Sequence, residues 1–155
     1  MPGDDATPDP VLEIGVELGE LITATRREGA RYAAELHPEL TAASLAILRR
    51  IAKCERIQAS RLGVALAMDK SVVSRQVALL RRLGFVEAEP DPDDRRATVL
   101  RVSELATERL REVRRRVGED YHHRFRDWPP EEIAELLRLL RRYNADGAGN
   151  AEAPA

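Results

Sequence analysis

A mainly α-helical chain with one small β-hairpin is the fold class that the sequence predicts. Three observations carry that prediction. Of 155 residues, 43% are hydrophobic but only 4% are aromatic, so the core must be aliphatic and drawn from helical stripes. Apolar residues recur at helical spacing over most of the chain. Between Val86 and Val102 the period drops to two. The length suits one domain, or one domain with a dimerisation extension, and is enough to bury a core.

Residues 1–10 and 145–155 are rich in Gly, Ala, Pro, Asp and Asn and read as flexible tails. A helix is predicted over 11–36, with Val11, Ile14, Leu18, Leu21 and Ile22 on one stripe and His37-Pro38 as its stop. Thr41 is placed to cap a second helix, in which Leu45, Leu48 and Ile51 recur up to about Lys53. Ile57 reads as a single bridge residue into a small sheet, and Ser60 to Leu66 as a short helix with Leu62 and Leu66 inward.

After the Ala67-Met68 turn, the carboxylate of Asp69 is placed to cap a helix from Lys70 to Leu83. Val73, Val77 and Leu80 form its core stripe, and Gly84 ends it in the left-handed conformation. Two strands follow, around Val86–Glu89 and Thr98–Val102, separated by the turn-forming run Pro90 to Arg96. Ser103 caps a long helix reaching about Trp128, with Gly118 as an interior weak point. Pro130 opens a last amphipathic helix on Ile133, Leu136, Leu137, Leu140 and Tyr143.

The formal net charge of −2 conceals a strong segregation along the chain. Residues 49–82 hold nine Arg and Lys against Glu55 and Asp69, a local excess of +7. Two short helices joined by a tight turn, the second basic on its outer face and followed at once by a hairpin, make a winged helix-turn-helix. A major groove roughly 12 Å wide admits one helix. Small residues such as Ser71, Ser74 and Ala78 let the backbone approach, Arg75 can present its fork to guanine, and Lys70 suits a phosphate. The predicted DNA-contacting set is Lys70, Ser71, Ser74, Arg75 and Gln76 on the helix, with Arg95 and Arg96 at the hairpin tip.

From Leu40 to Ser103 the chain resembles the MarR family of bacterial transcription regulators. The resemblance lies in LAMDKSVVSRQV (66–77), LRRLGFV (80–86) and DPDDRRA (91–97), and the flanking helices extend it over roughly 11–144. It implies a winged helix-turn-helix domain over 41–103 and a two-fold dimer built from 11–36 and 104–144. It also implies a pseudo-palindromic operator read by two helices roughly 34 Å, or a multiple, apart. Long helices with narrow aliphatic stripes need a partner to cover them, which agrees. The family's Asp-x-Arg wing pattern falls on Asp94, which steadies the arginine, and Arg96, which enters the minor groove; Arg95 beside it meets a phosphate. Asp91 and Asp93 read as turn formers. Two positions depart from the family. Val102-Ser103-Glu104-Leu105-Ala106 stands where Leu-Thr-x-x-Gly is usual, and Gln58 where a Ser or Thr cap is common.

The resemblance further implies a repressor released by a small aromatic or phenolic effector, for which Arg27, Tyr32, His37 and His123 are the candidates. Two alternatives are a redox switch through Cys54, flanked by Lys53 and Arg56, and a winged-helix module that binds an acidic protein and no DNA. His122 and His123 point about 100° apart on a helix and complete no ligand set, so neither metal nor cofactor is expected. No nucleophile–base pairing or phosphate loop appears, so the chain is not read as an enzyme. The lack of a membrane-length apolar run, the acidic start and the single cysteine predict a cytoplasmic protein.

Overall fold

A computed structural model of the protein describes residues 9–92 and 97–150. The elements run α1 (Pro10–Leu36), α2 (Ala42–Cys54), β1 (Ile57–Gln58), α3 (Ala59–Leu66), α4 (Lys70–Arg82), β2 (Val86–Pro90), β3 (Thr98–Val102), α5 (Glu104–Arg124) and α6 (Pro130–Asn150). They fall into two compact units, one ending at Val113 and the other beginning at Arg114. Among the described residues no helix is long and apolar enough to cross a membrane.

In the first unit α2 is the hub, packing on α1, α3, α4 and β3. Leu45, Ile47, Leu48 and Ile51 are all essentially inaccessible on it. Each such side chain contributes roughly 1.5–3 kcal/mol by leaving water, so this helix anchors everything around it. Thr41 caps α2 as expected: its Oγ1 accepts from Ser44 N at 3.2 Å while Ser44 Oγ accepts from Thr41 N at 3.1 Å, a reciprocal capping box. Tyr32, Ala33 and Leu36 bury only the last part of α1. The predicted stripe upstream lies open, with Val11 72% and Ile14 55% exposed.

The antiparallel sheet has the order β1-β3-β2, pairing Ile57 with Leu100 and Ala88 with Leu100 on either side. Pro90 sits at the end of an edge strand, where a missing N–H costs no ladder bond. Both Val99 and Leu100 are buried, so β3 is covered on both faces.

In the second unit Tyr121 and Phe125 stack at 6.3 Å, and Trp128 meets Phe125 edge-on at 5.2 Å. The long helix α5 ends at Arg124, four residues short of the expected Trp128, because Phe125, Arg126 and Asp127 turn the chain toward Pro130. Helix α6 continues to Asn150, past the expected end at Asn144 and into the segment read as a tail. Ala145 and Ala148 favour helix, and an Arg142–Asp146 pair at i,i+4 bridges the junction at 3.9 Å. Leu137, Leu139, Leu140 and Tyr143 are exposed along it.

Candidate nucleic-acid interface

The tight turn between α3 and α4 is made by Ala67, whose φ of 49° and ψ of 43° lie in the left-handed region. Met68 N donates to Gly63 O at 2.9 Å, closing the turn onto α3. A Cβ on Gly63 would come within 3.1 Å of the Met68 carbonyl oxygen, which explains glycine inside a short helix.

Helix α4 exposes Lys70, Ser71, Ser74, Arg75 and Ala78 on one face and buries Val73 and Leu80 on the other, as its periodicity predicted. Its exit is a Schellman motif: Gly84 N donates to Arg81 O at 3.0 Å and Phe85 N to Leu80 O at 2.9 Å, with Gly84 at φ 75°. Between α3 and the outer face of α4 runs a groove of about 570 Å³, lined by Ser60, Val64, Lys70, Ser74, Ala78 and Arg81 among others. Val64 stands 89% exposed at its edge. Ser60, Val64 and Arg81 were not among the residues singled out from sequence; only the pairing of α3 with α4 in space brings them here.

Two expectations about this helix are corrected. Asp69 occupies the N-cap position and its carbonyl oxygen accepts from Val73 N at 3.0 Å, but its carboxylate makes no capping bond. The carboxylate is exposed, and water offers it equivalent partners. Gln76 is not part of the outer face. It is half-buried, and its Oε1 accepts from the buried Ser44 hydroxyl at 2.5 Å and lies 3.5 Å from Thr41 Oγ1. It therefore fastens α4 to the capping box of α2.

The hairpin expected from sequence is formed by β2 and β3, but Asp94, Arg95 and Arg96 lie outside the described residues. The base of its tip turn is closed by Asp91, whose N–H donates to Ala97 O at 2.9 Å. Asp91 is 7% exposed, and its carboxylate accepts from Gln58 Nε2 at 2.7 Å. Gln58 thus gives up the helix-capping role usual at its position and clasps the wing. At the wing's other end Ser103 caps α5: its Oγ accepts from Ala106 N at 3.1 Å and donates to Gly84 O at 2.7 Å. Ala106 is fully buried where the resembled family has glycine.

At the end of α4, Arg82 holds Glu39 in a two-pronged pair between exposed partners. The guanidinium's hydrogen bond lowers the Glu39 carboxyl below its ordinary value, and the same bond raises Arg82.

Of the four effector candidates, Arg27, Tyr32 and His37 lie on or at the end of α1 and His123 lies in the second unit. Tyr32 is 4% exposed, with the Arg31 guanidinium 4.4 Å from its ring centroid, while Arg27 is exposed. His37 ends α1 and its Nδ1 accepts from Glu39 N at 3.2 Å. His123 is exposed near the end of α5 in the second unit. A second cavity, of about 580 Å³, lies against the wing and includes Cys54, which is half-buried and free.

Comparison with known proteins places this geometry. A profile of the MarR family matches residues 39–97. The chain is similar to the multiple antibiotic resistance protein MarR of Escherichia coli, with 28% identity over 130 residues, 82% of this chain and 90% of that one. Its fold resembles a crystal structure of MarR with a TM-score of 0.71 at 27% identity, covering 88% of this chain and 98% of that one. It also resembles a cysteine-to-serine variant of the E. coli protein complexed with operator DNA, with a TM-score of 0.63 at 27% identity over 88% and 99%.

Proposed function

Because a MarR-family profile matches residues 39–97 and the chain is similar to MarR of Escherichia coli, we propose that it is a homodimeric transcription regulator of that family that reads duplex DNA with α4. One observation carries this reading: α4 leaves Lys70, Ser71, Ser74, Arg75 and Ala78 together on an exposed face within a winged frame. Short side chains admit the helix to a major groove, the arginine fork matches a guanine edge, and the lysine near the N-terminus suits a phosphate. The similar E. coli protein has been seen on operator DNA, which supports the same use here. Arg95 and Arg96 are proposed as the wing's phosphate and minor-groove contacts, with Asp94 steadying Arg96.

Dimerisation is supported by apolar surface left open in each unit. Val11, Leu12, Ile14, Val16, Leu21 and Ile22 are exposed on α1, and Leu137, Leu139, Leu140 and Tyr143 on α6. Such stripes are covered in a stable state, and a second copy is the partner that two-fold operator symmetry requires. The finer reading is a repressor released by a small effector. Its support is the cavity against the wing, since Tyr32 is packed away and Arg27 does not lie on its ring.

Selection of bound fragments from genomic DNA, followed by titration of the selected duplex and a scrambled one at moderate salt, tests the proposal. A selected palindrome bound much more tightly than its scramble is expected. Equal binding of both would overturn it.

A further inference from the structure

The bond between Gln58 and Asp91 joins two parts of the molecule that the sheet alone leaves apart. Gln58 closes β1 and stands at the start of α3, Asp91 follows β2, and the order β1-β3-β2 puts the two on opposite sides of β3. The last pair of β1 is Gln58 with Val99; outward of it the wing continues, through Pro90 with Thr98, as two strands. Two strands without a third are marginal in water and twist more strongly. Gln58 Nε2 reaches over β3 to Asp91 Oδ2 at 2.7 Å, at the place where Asp91 N–H and Ala97 O close the turn. The residue type matters here. Helix α3 starts with no side-chain cap bond, although a serine or threonine at this position would supply one. A hydroxyl on a one-carbon stem cannot cross the sheet, whereas the longer carboxamide does. Asp91 is buried, so removing this donor favours turning its carboxylate out to water, and the base of the turn moves with it.

We propose that Gln58 and Asp91 are a positioning pair for DNA binding. Their bond fixes the base of the tip turn against the start of α3, and the packing of α3 on α4 carries that constraint to the helix in the major groove. The pair thus sets the spacing between wing and α4 before DNA arrives. Ordering both in advance spares the entropy otherwise lost when they engage one stretch of duplex together. Both residues act through the wing rather than on a base. The inference rests on the DNA-reading function proposed above.

The test uses the full chain and a duplex selected from genomic DNA. Gln58→Thr removes the clasp but offers α3 a cap, so the variant should melt close to the parent. Its affinity for the selected duplex should fall by about tenfold, because the wing is then ordered on binding rather than beforehand. Hydroxyl-radical footprinting should lose protection in the minor groove flanking each half-site, while the ranking of single-base variants in the major groove stays the parent's. Gln58→Glu should lose at least as much, since it sets a second carboxylate against Asp91. Gln58→Glu/Asp91→Asn reverses donor and acceptor and should restore most of the affinity and flank protection. Parental affinity and flank protection in Gln58→Thr would overturn the inference. So would loss of the base ranking together with the flank protection, which marks general disruption. A parent that binds selected and scrambled duplexes equally would instead overturn the DNA-reading function. The clasp is then read on the free protein, where Asp91 N–H should exchange with solvent about tenfold faster in Gln58→Thr. Unchanged exchange would remove the clasp as a constraint on the wing.

Discussion

The Ser44 hydroxyl, buried at the start of α2, donates to Gln76 Oε1 on α4 at 2.5 Å. A residue on α4 thereby becomes a tie into the core. Gln76→Ala should lower stability by about 1–2 kcal/mol, because it strips an acceptor from an inaccessible hydroxyl. Urea unfolding monitored by circular dichroism reads the loss. The variant's ranking of DNA sequences should stay that of the parent, and a changed base preference would return Gln76 to the DNA contacts.

Arg75 and Lys70 should separate in binding assays. Arg75→Ala is expected to cost about 1–3 kcal/mol at one base position of each half-site and to relax preference there. Lys70→Ala should weaken all sequences alike and reduce the slope of log affinity against log salt by about 1 per protomer. Competition titrations over a salt series distinguish the two.

Backbone conformation sets a pair of opposite expectations. Ala67 holds a left-handed φ that costs a non-glycine residue about 1–2 kcal/mol, so Ala67→Gly should stabilise by part of that amount. Gly84→Ala should destabilise by a comparable amount, since Gly84 has φ 75° but nothing near its missing Cβ. Thermal melts of both variants test whether the strain, rather than crowding, decides the sign.

Acid should loosen the link between Glu39 and Arg82. The carboxyl is lowered in the folded chain, so its contribution is present above the unfolded value and fades as pH falls through the folded one. Both partners are exposed and screened, so the effect is small. Glu39→Gln should flatten the acid limb of stability against pH and leave neutral-pH stability little changed. An unaltered acid limb would show the pair to be idle.

Charge on the open face of α1 should dissolve the proposed dimer. Ile14→Asp together with Leu21→Asp places carboxylates where apolar surface must be covered. Sedimentation at micromolar concentration should shift from dimer to monomer, and operator affinity should drop with it, because each half-site then binds alone. A variant that remained dimeric would place the interface elsewhere.

Much of this was legible in local pattern. The Gly84 cap, the Thr41 and Ser103 caps and the exposed face of α4 each follow from residues within a few positions of one another. Gln76 carried a signal that its polarity obscured. It lies three residues after Val73 and four before Leu80, beside the core stripe rather than opposite it. The Gln58–Asp91 clasp had no such signal, because its partners are 33 residues apart and meet only once β1 pairs with β3. The same holds for the cavity against the wing, whose walls come from α2, α3, the connection to β1 and the wing. Asp69 was placed correctly at the helix start, but the sequence could not say which way its carboxylate points.

Ser103 grips Gly84 O, in the exit turn of α4, with its hydroxyl and Phe85 O with its N–H at 3.1 Å, while starting α5 with the same side chain. The first turn of α5 and the tail of α4 are thus riveted at one residue. A rod of 21 residues, about 30 Å long, leaves that rivet. Any rotation of the first turn of α5 must carry the exit of α4 with it, so the two turns move as a single joint.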